Sequence, residues 1–291
     1  MMNNFSIGFT LLFILLYCSC TPKANHTPGF KYDLQHPSRE FDLPHSLREI
    51  SGITFYSDHR LACIQDEKGK IYIYNLKKED VKESVDFAAD HDYEAIALVN
   101  DTVYVLHSTG TLFEVTHFDT DSQQTKKYDT FLKKENNTEG LCYDNQDHQL
   151  LIACKGVSFK TEQEDEKEIY AFDISTHQLN PNPKYSIRLK VFAKFMRTNN
   201  MKIPAGENKN SFFEPSEIAV HPLTKEIYVL SSVGKLIVVL DRNGNIKEVA
   251  FIDPALAAHP EGMTFSENGN LFISSEGTGK KKVILEFTSS K

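Results

Sequence analysis

His259-Pro260-Glu261-Gly262-Met263-Thr264-Phe265 is the motif from which the architecture is read, because shortened forms of it recur four more times. They are Glu49-Ile50-Ser51-Gly52-Ile53, Asp92-Tyr93-Glu94-Ala95-Ile96, Asn137-Thr138-Glu139-Gly140-Leu141 and Glu214-Pro215-Ser216-Glu217-Ile218. Aligned on Ser51, Glu94, Glu139, Ser216 and Glu261, the copies lie 43, 45, 77 and 45 residues apart. A period of about 40–45 residues with several strands per unit is the mark of a propeller blade. Each copy runs into an apolar strand, a polar turn and a second strand: Leu61–Gln65, Val103–His107, Leu150–Cys154, Ile227–Ser231 and Leu271–Ser275. A third apolar run follows in each. The expected fold is all-β: a five-bladed β-propeller, with a six-bladed ring carrying one degenerate blade as the alternative.

The two-residue period of a strand separates the faces of the first strand. One face carries Ile53, Ile96, Leu141, Ile218 and Met263, then Phe55, Leu98, Tyr143, Val220 and Phe265. The other carries Gly52, Ala95, Gly140, Glu217 and Gly262, then Thr54, Ala97, Cys142, Ala219 and Thr264. One large and one small face suit an innermost strand, where neighbouring sheets converge on an axis. The long gap places insertions at Lys160–Lys167 and at about Val191–Phe213, the latter with a short helix near Phe192–Met196. The last copy lacks an outer strand, so Phe30–Leu34 or Arg39–Leu43 is expected to close the ring and cover the open edge.

Ile7–Tyr17 is an apolar run too short to span a bilayer, and it fits the core of a signal peptide. Ser19-Cys20 after it resembles a lipoprotein cleavage box. Residues 1–19 are therefore read as a lipoprotein signal, Cys20 as the lipidation site, 20–28 as a flexible tether and 29–291 as a single propeller domain. An ordinary secretory signal is the alternative. The implied location is a bacterial envelope, at the periplasmic face or the cell surface, with membrane attachment through the lipid only. A formal net charge of −8 argues against nucleic acid, which needs clustered lysine and arginine. The chain is read as a monomer with an unidentified ligand or protein partner. Cys63, Cys142 and Cys154 fall in inner strands; a Cys142–Cys154 disulfide is the minority reading beside buried free thiols.

If the five copies are equivalent blades, Glu94, Glu139 and Glu261 stand at one height around one axis, with Glu49 near the same mouth and Glu217 in place of a small residue. Carboxylates so gathered cannot all ionise cheaply: a like-charge pair at 4 Å costs about 4 kcal/mol at an effective dielectric of 20. A cation compensates, or protons are retained. Oxygen-only ligands favour calcium, or magnesium, over zinc. The competing reading is that these glutamates cap inner strands by accepting backbone N–H groups of the next blade. A second set, Asp66, Glu67, Lys155, Ser232 and Glu276, ends the second strands and returns to the same mouth as candidate ligand-binding residues. Solvated turn residues are the alternative. No catalytic motif such as H-E-x-x-H or G-x-S-x-G occurs, and no catalytic residue is assigned.

Glu49-Ile-Ser-Gly52, Asp66-Glu67-x-Gly69-x-Ile71-Tyr72, Tyr93-Glu94-Ala95-Ile96, Glu139-Gly140-Leu141, Pro215-Ser216-x-Ile218-x-x-His221-Pro222, Tyr228-Val-Leu-Ser-Ser232, Pro260-Glu261-Gly262 and Ile273-Ser-Ser-Glu-Gly277 together resemble the SdiA-regulated family. The resemblance spans about Leu43 to Phe287. It implies a propeller, often exported or membrane-anchored, with a calcium-type site, and it implies no reaction. Ala95 and Glu217 depart from the pattern. The expected function is a binding module with an acidic mouth. A metal-dependent hydrolase or lactonase, by analogy with other propellers, is the alternative.

Overall fold

Five antiparallel sheets follow one another along the chain in a computed structural model that describes residues 25–57, 59–159, 165–205, 212–277 and 281–289. Blade 1 is built from Ile50–Ser57, Arg60–Gln65, Lys70–Asn75 and Asp80–Asp86. Blade 2 takes Tyr93–Val99, Thr102–His107, Leu112–Thr116 and Gln124–Tyr128. Blade 3 takes Thr138–Asp144, Gln149–Cys154, Glu166–Asp173 and the short Gln178–Leu179, with Tyr185–Arg188 as an extra strand on its third. Blade 4 takes Pro215–Val220, Ile227–Ser231, Leu236–Leu240 and Ile246–Phe251. Blade 5 takes Pro260–Phe265, Leu271–Ser275, Val283–Phe287 and, from the start of the chain, Arg39–Asp42.

The first strands stand side by side around an axis, and that of blade 5 returns to that of blade 1, so the ring closes on five blades. Of the two expected closing segments, Arg39–Asp42 is used: Phe41 pairs with Ile284 and is fully buried. Phe30–Leu34 packs instead with blades 4 and 5, where Tyr32 donates to Gly269 O at 2.7 Å.

Five apolar clusters hold the ring, each shared by two neighbouring blades. Both faces of a blade are thus covered. That is why a third strand such as Leu236–Leu240 reads as an unbroken apolar run and is buried throughout. The outer strands, exemplified by Gln124–Tyr128, are polar and exposed. The expected small face lies where blades approach most closely. A Cβ on Gly52 would sit 2.9 Å from Ala95 Cα, and one on Gly140 2.9 Å from Ile218 N, both on the next blade. Only glycine lets those backbones meet.

The insertion helix spans Leu189–Thr198, longer than the expected Phe192–Met196. Leu189, Phe192, Ala193 and Met196 recur at helical spacing and bury against the cluster between blades 3 and 4. Of the run Lys160–Lys167, Glu166 and Lys167 are in the third strand of blade 3, and residues 160–164 lie outside the described part.

One further expectation is corrected. The segment read as a tether is docked from Asn25 onward: Asn25 O accepts from Phe251 N at 2.8 Å, and Thr27 N donates to Val249 O at 2.8 Å. These bonds satisfy the otherwise open edge of blade 4. Cys142 and Cys154 are both free thiols, as is Cys63. In register, Cys154 stands opposite Thr138 and Cys142 opposite Leu151, so the two sulfurs are never cross-strand neighbours. Cys20 and the signal segment lie outside the described residues. No helix among the described residues is long and apolar enough to cross a membrane.

Candidate functional site

The residue that aligns the five repeats is a β-bulge in every blade. Pairing of the first and second strands slips between Ile50 and Gly52, Tyr93 and Ala95, Thr138 and Gly140, Pro215 and Glu217, and Pro260 and Met263. The skipped residues include Ser51, Glu94, Glu139, Ser216 and Glu261. A bulge leaves one residue unpaired and re-aims its side chain. The serines use this to stitch the ring: Ser51 Oγ donates to Tyr93 O at 2.8 Å and Ser216 Oγ to Pro260 O at 3.2 Å, each on the next blade. The glutamates are re-aimed into a common electrostatic neighbourhood at the mouth.

Glu139 is its centre. Its Oε1 accepts from Lys155 Nζ at 3.1 Å and from Asn137 Nδ2 at 2.7 Å, and the residue is 6% exposed. Burial raises its pKa, while Lys155 and Asn137 act in the opposite sense. Glu94 is pushed up to about 9, first by burial, then by Glu139 and Asp92. Glu261 is pushed up to about 7 by burial and then by Glu139; its Oε1 accepts from Ser232 Oγ at 3.0 Å. Burial lowers the Lys155 pKa, but Glu139, then Glu261 and Glu94, more than reverse this and keep the ammonium charged. Lys155 and Ser232 therefore return to the mouth as expected from the antiparallel second strands.

Glu217 behaves differently. It is completely buried, and its Oε1 accepts the N–H of Leu141 on blade 3 at 2.8 Å and of Ile218 at 2.9 Å. This is the inter-blade capping role weighed as the alternative for the whole set, realised by one member. Burial pushes its carboxyl well above the usual range despite both bonds, with Glu139 and Glu261 adding to the rise. Its Oε2 is buried and has no hydrogen-bond partner.

Asp66, Glu49, Glu67 and Glu276 form a second acidic group on the blade 1 and blade 5 side. Burial, then the charges of Glu49, Glu67 and Glu276, raises Asp66 to about 6. Glu49 pairs with Arg48. Glu276 also bears on Glu261, so the two groups are electrostatically continuous. Asp92, expected near the mouth from its place two residues before Glu94, does act on that glutamate. Asn137, two residues before Glu139, escaped the residue-level reading, although the same spacing marks it.

The donor set does not fit a resident divalent ion as arranged. Oε1 of Glu139, of Glu261 and of Glu217 is held by Lys155 and Asn137, by Ser232 and by backbone N–H groups respectively. Among the described residues no three His, Cys, Asp or Glu side chains converge as metal ligands. A cation entering the mouth would compete with the Lys155 ammonium already held by Glu139.

The fold is similar to that of solved propellers. The glutaminyl cyclase of Myxococcus xanthus superposes with a TM-score of 0.58 at 13% identity over 88% of this chain and 96% of that one. A streptogramin B lyase gives 0.51 at 12% identity over 87% and 97% of the two chains, and a chain of a nidogen/laminin complex 0.50 at 14% over 78% and 72%. At these identities the likeness is one of fold. Comparison with curated proteins returned no match. The sequence profile of one family covers residues 23–278, nearly all of the ring just described, and the chain belongs to that family, the SdiA-regulated proteins.

Proposed function

We propose that the protein is an envelope-anchored binding module whose acidic mouth accepts a cationic ligand, with the anchor at Cys20. One observation carries the reading: Glu94, Glu139 and Glu261 share a partly desolvated mouth whose charge is balanced by Lys155 and by retained protons. Charge held in this way is exchangeable, because an entering cation replaces protons and does not have to be created by folding. The mouth contributes acceptors from three blades, with Ser232 and Asn137 orienting two of the carboxylates. Asp66, Glu67 and Glu276 extend the negative field outward and draw cations in.

Calcium, or magnesium, is proposed as an exchangeable ligand and not as a structural ion, given how the oxygens are engaged. The experiment is calorimetric titration of the protein with calcium, and separately with butylammonium, at pH 6 and pH 8 in two buffers of different ionisation heat. Saturable binding that is tighter at pH 8 and releases protons at pH 6 supports the reading. Absence of binding by both cations, or equal binding to a Glu94→Gln/Glu139→Gln/Glu261→Gln variant, overturns it.

A further inference from the structure

The opposite end of the ring carries a different kind of opening. The first strands end there, and a cavity of about 290 Å³ sits on the axis, lined by all five blades. It owes its space to the small column of the sequence. Thr54, Ala97, Cys142, Ala219 and Thr264 line it, and none has a side chain long enough to fill the axis. Above them the large column, Phe55, Leu98, Tyr143, Val220 and Phe265, forms an apolar collar. Pro222 belongs to the lining, and Leu223 beside it is 66% exposed, an apolar lip in open solvent.

The chemistry of this funnel contrasts with that of the acidic mouth. Of its lining residues only Glu267 is charged, and no lysine or arginine takes part. An anion would meet no counter-charge and one repulsive carboxylate. A cation would find one exposed carboxylate and otherwise an uncharged wall. Its side-chain hydrogen-bonding groups include the hydroxyls of Thr54, Tyr56, Tyr143 and Ser266 and the amide of Asn145; Tyr56 donates to Asp119 at 2.9 Å and Ser266 to Asn268 Oδ1 at 2.6 Å, so those two are already engaged. Thr264 Oγ1 already accepts from Phe55 N at 3.2 Å, which leaves its own O–H to donate. A cavity that sets apolar side chains beside hydroxyl and amide groups can seat a small molecule by both, and this one lies just below the usual range of about 300–1,000 Å³.

We propose that this funnel is a second ligand site, separate from the acidic mouth, and that it takes a small uncharged molecule with a single ring and one hydrogen-bonding group. The guest's ring sits against the collar and its polar end reaches the threonine hydroxyls. Cys142 is a built-in reporter: it borders the cavity as well as the cluster between blades 3 and 4, whereas Cys63 and Cys154 belong to inter-blade clusters and not to the cavity lining.

Benzyl alcohol and benzoate, which share a ring and differ in charge, are the probes. Each is titrated into the full chain by ligand-observed NMR. N-ethylmaleimide modification of Cys142 is followed in parallel by peptide mass spectrometry. Expected are saturable millimolar binding of benzyl alcohol, at least tenfold weaker binding of benzoate, and slowed Cys142 modification with benzyl alcohol present. Ala219→Leu and, as a milder filling, Ala219→Val should weaken binding in that order while a Glu139→Gln change at the other mouth leaves it unchanged. The proposal is overturned if benzyl alcohol shows no saturable binding, if benzoate binds as well, or if a folded Ala219→Val protein binds as tightly as the parent.

Discussion

Lys155 Nζ stands 3.1 Å from Glu139 Oε1, and the pair joins the second strand of blade 3 to the bulge of its first. The lysine side chain is 30% exposed and the glutamate 8%, so the pair is neither a surface bridge nor fully buried.

Lys155→Met should leave Glu139 without its counter-charge. Removing one partner of a fully buried pair costs about 3–5 kcal/mol; partial exposure of Lys155 reduces this to about 1–3 kcal/mol. The glutamate escapes the penalty by keeping a proton, so its folded pKa rises further above the unfolded value. The deficit is then small near pH 5 and grows as pH rises. Urea unfolding at pH 5 and pH 8 measures it, and an equal deficit at both values would contradict the pairing.

Wild-type stability should itself decline as pH rises from weakly acidic values. Glu94 and Glu261 carry folded pKa values of about 9 and about 7, against 4.5 for the free side chain, and Glu217 is raised as well. The unfolded chain releases these protons first. Their contribution is therefore complete below the unfolded value and lost as pH climbs through the folded ones. Glu217→Gln retains an acceptor for Leu141 and Ile218 and cannot ionise, so its melting temperature should vary less between pH 5 and pH 9. Glu217→Ala strands both N–H groups and should cost about 1–3 kcal/mol at weakly acidic pH, and less as pH rises and the wild-type carboxyl loses its contribution.

The docked N-terminal segment should loosen in acid. His221 Nδ1 accepts from Leu223 N and Thr224 N, both at 3.1 Å, so the ring proton belongs on Nε2, 2.9 Å from Tyr32 Oη. A second proton on Nδ1 would face two N–H donors. Burial lowers the folded pKa first, and Lys31 and Lys225 add to this while Glu226 opposes it. Stability from this contact is present above the unfolded histidine value and lost as pH falls through the folded one. Hydrogen exchange of residues 25–36 should speed up at pH 5 relative to pH 7 beyond its intrinsic pH dependence. His221→Gln should flatten that difference.

Gly140→Ala should destabilise far more than Ala95→Gly, although the two positions are equivalent in the repeat. The new methyl would lie 2.9 Å from Ile218 N and 3.0 Å from Glu217 C, backbone atoms that cannot yield without moving blade 4. A cost of about 1–3 kcal/mol or more is expected from overpacking. Thermal unfolding of the two variants compares them directly.

Much of this ring was legible from residues alone. The period and the small and large faces are local regularities of hydrophobic pattern, and the closing of blade 5 by a segment before the first copy follows from its missing strand, but the choice of Arg39–Asp42 over Phe30–Leu34 does not. The aim of the bulged side chains was not. Alternation assumes an unbroken two-residue register, and Glu94, Glu139 and Glu261 stand where that register slips. Glu217, one residue beyond its bulge, reads as a fourth mouth acid in sequence yet turns out to cap Leu141. The choice depends on where the backbone of blade 3 lies, which no spacing within blade 4 encodes. The funnel was written in the small column, but as packing; space becomes visible only when five such columns face one axis.

A bulged residue is excused from the ladder on both sides, so its identity is free to drift while the ladder stays in register. Here that freedom is granted once per blade at one latitude. Three of the five, Glu94, Glu139 and Glu261, set the field of the opening and can be exchanged without asking the sheets to move, whereas Ser51 and Ser216 give up that freedom for a bond to the next blade. Such an arrangement lets one scaffold diversify what it holds by single substitutions, much as interchangeable teeth are set in an unchanging jaw.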